Sequence, residues 1–234
     1  MKKKRIALIG LDGSGKSANI NNMKVDSDYL DFNFVWVRWK PMLLKPVYIL
    51  LNKKIDTRNN AAYMKTKNQQ DMKKVQSQEE LNKSYNSKYS IKKKIFKSPV
   101  IRALWIFTAV IDYYIQFYLK VFKLLISTKS IVFDRYYIDL FVDQGINFES
   151  TPGQIAAMIK KYQWLFPKMN KVIYIRVSPE VCFLRKNDIP NMDYLIMRYE
   201  VYEYLSKKEK WTIVDGEQPL EAVYENIKRQ IFNI

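Results

Sequence analysis

Short apolar runs recur along the chain, separated by stretches in which apolar residues fall three or four positions apart. The runs at residues 4–10, 33–38, 128–133, 171–177 and 211–214 read as strands, because they are β-branched or apolar and bounded by glycine, proline or charge. The stretches at 16–24, 152–166, 179–186, 192–208 and 220–232 read as helices, the second opened by Thr151 as N-cap and Pro152 in its first turn. Strands that alternate with helices predict an α/β fold: a parallel sheet covered on both faces. No repeat and no break in composition divides the chain, so residues 1–234 are expected to form one domain.

Three segments depart from this alternation. Residues 41–51 are apolar but hold two prolines, and predict a loop running into a short helix. Residues 57–90 are rich in Lys, Asn, Gln and Ser and are expected to be a mobile insertion. Residues 99–126 are the most apolar stretch, with Arg102, Asp112 and Lys120 as interruptions. A membrane-spanning helix needs about 20 largely apolar residues. An Asp near its centre is costly in lipid, so a buried core or dimer-interface helix is the favoured reading. Lys92, Lys93, Lys94, Lys97, Lys120 and Lys123 flank the stretch, which is compatible with a surface docking on anionic headgroups or a lipid-linked acceptor. Asp112 has two candidate roles, accepting a hydrogen bond from a sugar hydroxyl or pairing with Arg102.

Composition narrows the chemistry. There is no histidine, which removes His general bases and His-ligated metals. Cys182 is the only cysteine, which excludes a disulfide framework and fits a reducing, cytoplasmic compartment. The N-terminal sequence MKKKRIALIGLDG starts basic and turns apolar, but its run is shorter than the roughly 7–15 residues of a leader's core, so a buried strand is expected. Net charge is +17, with 15 Lys/Arg against 4 Asp/Glu between Lys40 and Lys97. Such a surface attracts anions, or is simply a solvated lysine-rich face. Trp36, Trp39, Trp105, Trp164, Trp211 and the 17 tyrosines are expected mainly in or beside the core, with 163–168 considered for contact with an acceptor ring.

The strongest local signal is GLDGSGKS, residues 10–17, which fits G-x-x-x-x-G-K-[ST] between a strand and a helix. Gly10, Gly13 and Gly15 let the backbone curl, so that the N–H groups of Asp12, Ser14 and their neighbours face one anion. The helix N-terminus adds its positive dipole end. Lys16 reaches terminal phosphates and the Ser17 hydroxyl ligates Mg²⁺, so ATP and Mg²⁺ are the expected cofactors. A second signal is SIVFDRYYID at 130–139, a strand ending in Asp134 and Arg135. Beside such a loop, an acid there organises the cation and an arginine offers a fork to a phosphate.

With these residues the chain resembles the thymidylate kinase family of P-loop nucleoside monophosphate kinases. The shared features are the Asp-Gly within GLDGSGKS, the strand ending FDRYY, and VIYIRVSPEVCFLRK at 172–186 leading into a lid. The resemblance covers residues 1–38 and 128–234. It implies a P-loop fold with five parallel strands in the order 2-3-1-4-5, a helical insertion and a lid. It implies transfer of a phosphoryl group from ATP to a monophosphate, and a homodimer. Arg135 would bind the acceptor phosphate, Asp134 would help place Mg²⁺, Asp12 would face a sugar hydroxyl, and Arg185 with Lys186 would come from the lid.

The acceptor side departs from that pattern. The family's Arg-Glu-Pro element is here VWVRWKP, with Arg38, Lys40 and Pro41 but no glutamate, so Arg38 stands as an acceptor-binding candidate. The lid has few arginines, and residues 39–127 form a divergent acceptor-side insertion. The expected function is an ATP- and Mg²⁺-dependent phosphotransferase with a nucleoside monophosphate such as dTMP as default acceptor. A kinase of a sugar, glycan or lipid-linked acceptor at the membrane's inner face is the alternative. A non-catalytic nucleotide-dependent binder of nucleic acid is disfavoured by the full set of donor-side residues.

Overall fold

A computed structural model describes residues 3–43, 45, 79, 82, 83, 85, 86, 89, 90 and 92–232. The helix expected within 41–51 and most of the polar stretch 57–90 lie outside the described residues. The strands are β1 (Arg5–Ile9), β2 (Phe32–Trp36), β3 (Ser130–Asp134), β4 (Lys171–Arg176) and β5 (Thr212–Asp215). They form one parallel sheet in the order β2-β3-β1-β4-β5. The helices are α1 (Lys16–Val25), α2 (Pro99–Ile126), α3 (Tyr137–Asn147), α4 (Pro152–Tyr162), α5 (Pro179–Arg185), α6 (Met192–Lys208) and α7 (Leu220–Phe232). Helices cover both sides of the sheet, as in the P-loop NTPase fold.

The predicted strands and helices are recovered with small shifts of their ends. Residues 152–166 divide into α4 and a 3₁₀ turn, Gln163–Leu165. Thr151 caps α4 as expected, in a reciprocal pair with Gln154. Helix α3 carries no sequence expectation. Nine of its eleven residues are buried, although Asp139, Asp143 and Asn147 recur every fourth position along it, a helical period that the sequence does hold.

β1 lies at the centre, with Ile6, Ala7, Leu8 and Ile9 all but inaccessible. Leu8 stands opposite Asp134 across the β1–β3 pair, so the loop after β1 and the residues after β3 emerge side by side at the carboxyl edge. This is where open α/β sheets bind ligands.

α2 is a core helix on one side only. Ser98 caps it and Pro99 opens it. Phe117 stacks on Phe133 of β3 at 5.9 Å, and the Tyr113 hydroxyl donates to the Val37 carbonyl at 2.8 Å. The opposite side carries Val100, Leu104, Phe107, Leu119, Phe122 and Ile126, all exposed and without a charge among them. By length and composition α2 is apolar enough to cross a membrane, yet its middle is built into the protein.

Asp112, fully buried, does not pair with Arg102, which bonds to the Phe96 and Lys97 carbonyls. Its carboxyl group accepts from the Met42 amide at 2.8 Å, the Trp39 indole at 3.2 Å and the Gln116 amide at 2.9 Å. It thereby fastens the segment after β2 onto α2. Asp112→Ala is expected to lower stability by about 1–2 kcal/mol, since it removes the shared acceptor of three part-buried donors. Urea unfolding monitored by tryptophan fluorescence, compared with Asp112→Asn, measures this.

Candidate functional site

The phosphate-binding loop leaves β1 in a conformation available to few side chains. Gly10, Gly13 and Gly15 have φ of 149°, 91° and 85°. A Cβ on Gly13 would meet the Cys182 carbonyl oxygen at 2.7 Å, so α5 presses directly on the loop. α1 begins at Lys16, immediately after Gly15. The Lys16 ammonium folds back onto its own loop, donating to the carbonyls of Gly10 at 2.8 Å and Leu11 at 2.6 Å and to the Ser14 hydroxyl at 3.1 Å.

Asp134 and Arg135 face this loop. Asp134 is hydrogen-bonded by Ser17; burial raises its pKa, opposed by Lys16 and Arg135. Ser17 and Asp134 offer oxygen donors only, which suits a hard cation such as Mg²⁺. Among the described residues no three acidic or thiol groups stand together, so the protein alone does not enclose a cation.

Arg135 has φ 69°, a left-handed backbone unusual for a non-glycine residue. Two acids hold it there: Asp139 accepts from its Nη1 at 2.9 Å, and Asp12 accepts from its Nη2. Asp139 is fixed in turn by the Tyr136 amide at 3.0 Å and the Tyr202 hydroxyl at 2.7 Å. Asp12 also takes the Tyr194 hydroxyl at 2.9 Å and lies 3.7 Å from Arg38. Burial would raise the Asp12 pKa, but Arg135, Arg38, Lys16 and Tyr194 together bring it well below the usual range.

These groups line one cleft of about 490 Å³: Asp12, Gly13, Gly15, Lys16, Ser17, Arg38, Asp134 and Arg135 share it with Trp36, Arg185 and Lys186. Gly10 and Ser14 stand behind, bonded to Lys16. Arg185 reaches the cleft from the end of α5 and is tied to the Gly216 carbonyl at 2.8 Å; Lys186 pairs with Asp188 at 3.2 Å.

A second pocket of about 300 Å³ adjoins at Arg38. Its walls are aromatic, from Trp39, Tyr85, Tyr89, Trp105 and Tyr194, and its polar groups are Asp143, Gln144, Asn147, Lys92 and Arg198. No local motif announces these residues. They converge from the segment before α2, from α2 and α3, and from α6, where Tyr194, Arg198 and Tyr202 recur every fourth position. Residues 163–168 are elsewhere: Gln163, Trp164 and Phe166 line a cavity of about 760 Å³ that shares no residue with the phosphate-binding loop. The acceptor-ring role considered for them is therefore not supported; Phe166 instead stacks on Tyr137 inside the protein.

No family model matches the sequence, and no curated protein matches it. Similar folds occur in solved structures of a deoxyadenosine kinase from M. mycoides. With dATP bound, the TM-score is 0.54 at 17% identity, over 97% of this chain and 99% of that one. With the products dCMP and a flexible dCDP, it is 0.54 at 18% identity, over 98% and 100%. With dCTP it is 0.52 at 17% identity, over 98% and 100%. At such identities the likeness establishes the shared fold.

Burial, with a smaller contribution from Arg135, pushes the Lys16 pKa down to about 8. A bound polyphosphate favours the protonated amine, so at pH 8 binding is expected to take up as much as about half a proton per site. Calorimetry with pyrophosphate or ATP in buffers of different ionisation enthalpy measures the uptake. Lys16→Met should lose it, and uptake should fade as pH drops below 7, where the amine is already charged.

Proposed function

We propose that this chain is an ATP- and Mg²⁺-dependent phosphotransferase whose acceptor is a nucleoside monophosphate. The observation that carries the reading is the company kept in one cleft. Lys16, Ser17 and Asp134 line it together with Arg38 and Arg135. Phosphoryl transfer asks mainly for alignment and charge stabilisation, which such a cleft supplies without histidine. The loop backbone of Gly10 to Gly15 and Lys16 hold the donor phosphates. Ser17 and Asp134 would hold Mg²⁺, which would supply positive charge against those phosphates. Arg38 and Arg135 take the acceptor phosphate by exchanging Asp12 for it, which frees the Asp12 carboxylate to face the acceptor's sugar. Arg185, which lines the cleft from the end of α5, would exchange the Gly216 carbonyl for the transferred group. The aromatic pocket beyond Arg38 is of the right kind for a planar ring.

A second reading has a nucleoside hydroxyl as acceptor. Its support is the fold shared with a deoxyadenosine kinase; the depressed pKa of Asp12 weighs against that residue as the base. Two arginines at the acceptor end weigh toward the monophosphate.

ADP release with ATP, Mg²⁺ and a panel of nucleosides and monophosphates separates the two. Turnover of monophosphates is expected, abolished by Lys16→Ala. Arg135→Ala should raise the acceptor KM at least about tenfold while ATP affinity holds. Turnover of nucleosides alone would install the second reading. Turnover of neither would turn attention to sugar or lipid-linked acceptors.

Self-association through α2 is part of the same proposal. The charge-free row from Val100 to Ile126 repeats at three and four residues, the spacing of a helix–helix seam. Light scattering after gel filtration is expected to give a dimer at micromolar concentration, and Leu104→Glu with Phe107→Glu a monomer. A monomeric wild type that sediments with anionic vesicles would make α2 a lipid-docking face instead.

A further inference from the structure

Two acids hold Arg135, and they hold it differently. Asp12 stands in the cleft itself, with a side chain 11% exposed, and its partners Arg135 and Arg38 line the same cleft. Asp139 lies behind, in the first turn of α3; it is 4% exposed and does not line the cleft. Its Oδ1 accepts from Arg135 Nη1 at 2.9 Å and from the Tyr202 hydroxyl at 2.7 Å, and its Oδ2 accepts from the Tyr136 amide at 3.0 Å.

Two of these three bonds owe nothing to Arg135. The Tyr136 amide comes from the residue that opens α3. The Tyr202 hydroxyl comes from α6, on a ring that is 2% exposed and stacks on Tyr174 of β4 at 5.7 Å. Burial and the neighbouring Asp139 raise the Tyr202 pKa well above its ordinary value, so its hydroxyl remains a donor. Burial disfavours the charge on Arg135, and Asp139, ahead of Asp12, more than restores it. Among the described residues, the Arg135 guanidinium bonds to these two acids alone.

We propose that Asp139 and Tyr202 are positioning residues for phosphate capture: Tyr202 fixes Asp139, and Asp139 keeps the Arg135 guanidinium aimed into the cleft while Asp12 yields to the acceptor phosphate. Asp139 is the permanent partner of Arg135, and Asp12 the exchangeable one. Neither Asp139 nor Tyr202 touches a substrate. An arginine freed of Asp139 keeps its charge and loses its direction, so the loss falls on the acceptor and spares ATP. The inference rests on the reading of Arg135 as the residue that binds the acceptor phosphate.

The test is a set of mutant cycles with ATP, Mg²⁺ and the probes dAMP, dCMP, dGMP and dTMP. Tyr202→Phe removes one hydroxyl and keeps the ring. It should raise the acceptor KM by about three- to tenfold and leave the ATP KM unchanged. Asp139→Asn should raise the acceptor KM by about tenfold or more; Tyr202→Phe carries the test if that variant folds poorly by circular dichroism. The deciding readout is the Arg135→Ala background. With no guanidinium to aim, either substitution should change acceptor affinity by less than about twofold. Calorimetric titration with the monophosphate reads that affinity where turnover is too slow. A purely structural role would carry the full loss into that background and weaken ATP binding alongside. Equal losses in both backgrounds, or a Tyr202→Phe enzyme with the wild-type acceptor KM, would overturn the positioning role and leave the phosphotransferase reading intact. Wild-type acceptor KM in Arg135→Ala, or turnover of none of the probes, would overturn the role of Arg135 and this inference with it.

Discussion

Asp12 is the residue on which the arrangement of the site depends. It is a part-buried carboxylate on the phosphate-binding loop, and it is claimed by Arg135, Arg38 and Tyr194. Each claimant comes from a different part of the chain: the end of β3, the segment after β2, and the start of α6. A carboxylate so placed is stable because these donors offset the cost of removing it from water, and it in turn helps to position them. The same logic continues through Arg135. Its left-handed backbone is retained because Asp12 and Asp139 hold its two terminal nitrogens. The strain sits at the junction of β3 and α3, within the cleft that the sheet opens at its carboxyl edge.

Much of this was legible in the chain, for reasons that differ by element. The loop from Gly10 to Ser17 is contiguous, and its glycines have no other explanation as good as close backbone approach to an anion. Asp134 and Arg135 could be placed because the strand before them is short, apolar and abruptly ended. The strand order was available only through the resemblance, since periodicity says that strands exist and not how they are arranged. Helix α3 did leave a mark, Asp139, Asp143 and Asn147 at every fourth position, but it follows directly on the Asp134–Arg135 signal and was not read as a helix. The wall of the acceptor pocket was invisible for another reason: Trp39, Tyr85, Gln144 and Arg198 are far apart in the chain and meet only after folding. Asp112 was recognised as anomalous, but its partners, a main-chain amide and an indole from the segment after β2, leave no mark in sequence.

The two halves of the molecule also differ in how they are held. The loop from Gly10 to Ser17 is held by backbone geometry, where glycines and a helix start leave little freedom. The aromatic pocket beyond Arg38 and the segment beside it are held by side-chain bonds across long sequence distances, as in Asp112 with Trp39 or Arg198 with Asp143. Side-chain networks can be exchanged without altering the sheet.

The spacing along α6 has a consequence for how this chain can change over evolutionary time. Tyr194, Arg198 and Tyr202 reach Asp12, Asp143 and Asp139 in turn, so a single helical face engages three carboxyl groups in order. A residue gained or lost between 194 and 202 would rotate the later contacts by about 100° and break them together. A change of length in residues 186–191, ahead of the helix, would leave that face in phase. Insertions and deletions should therefore accumulate in residues 186–191 and be purged from the helix behind them, a boundary that a survey of natural variants would draw as a sharp step in gap frequency near Asn191.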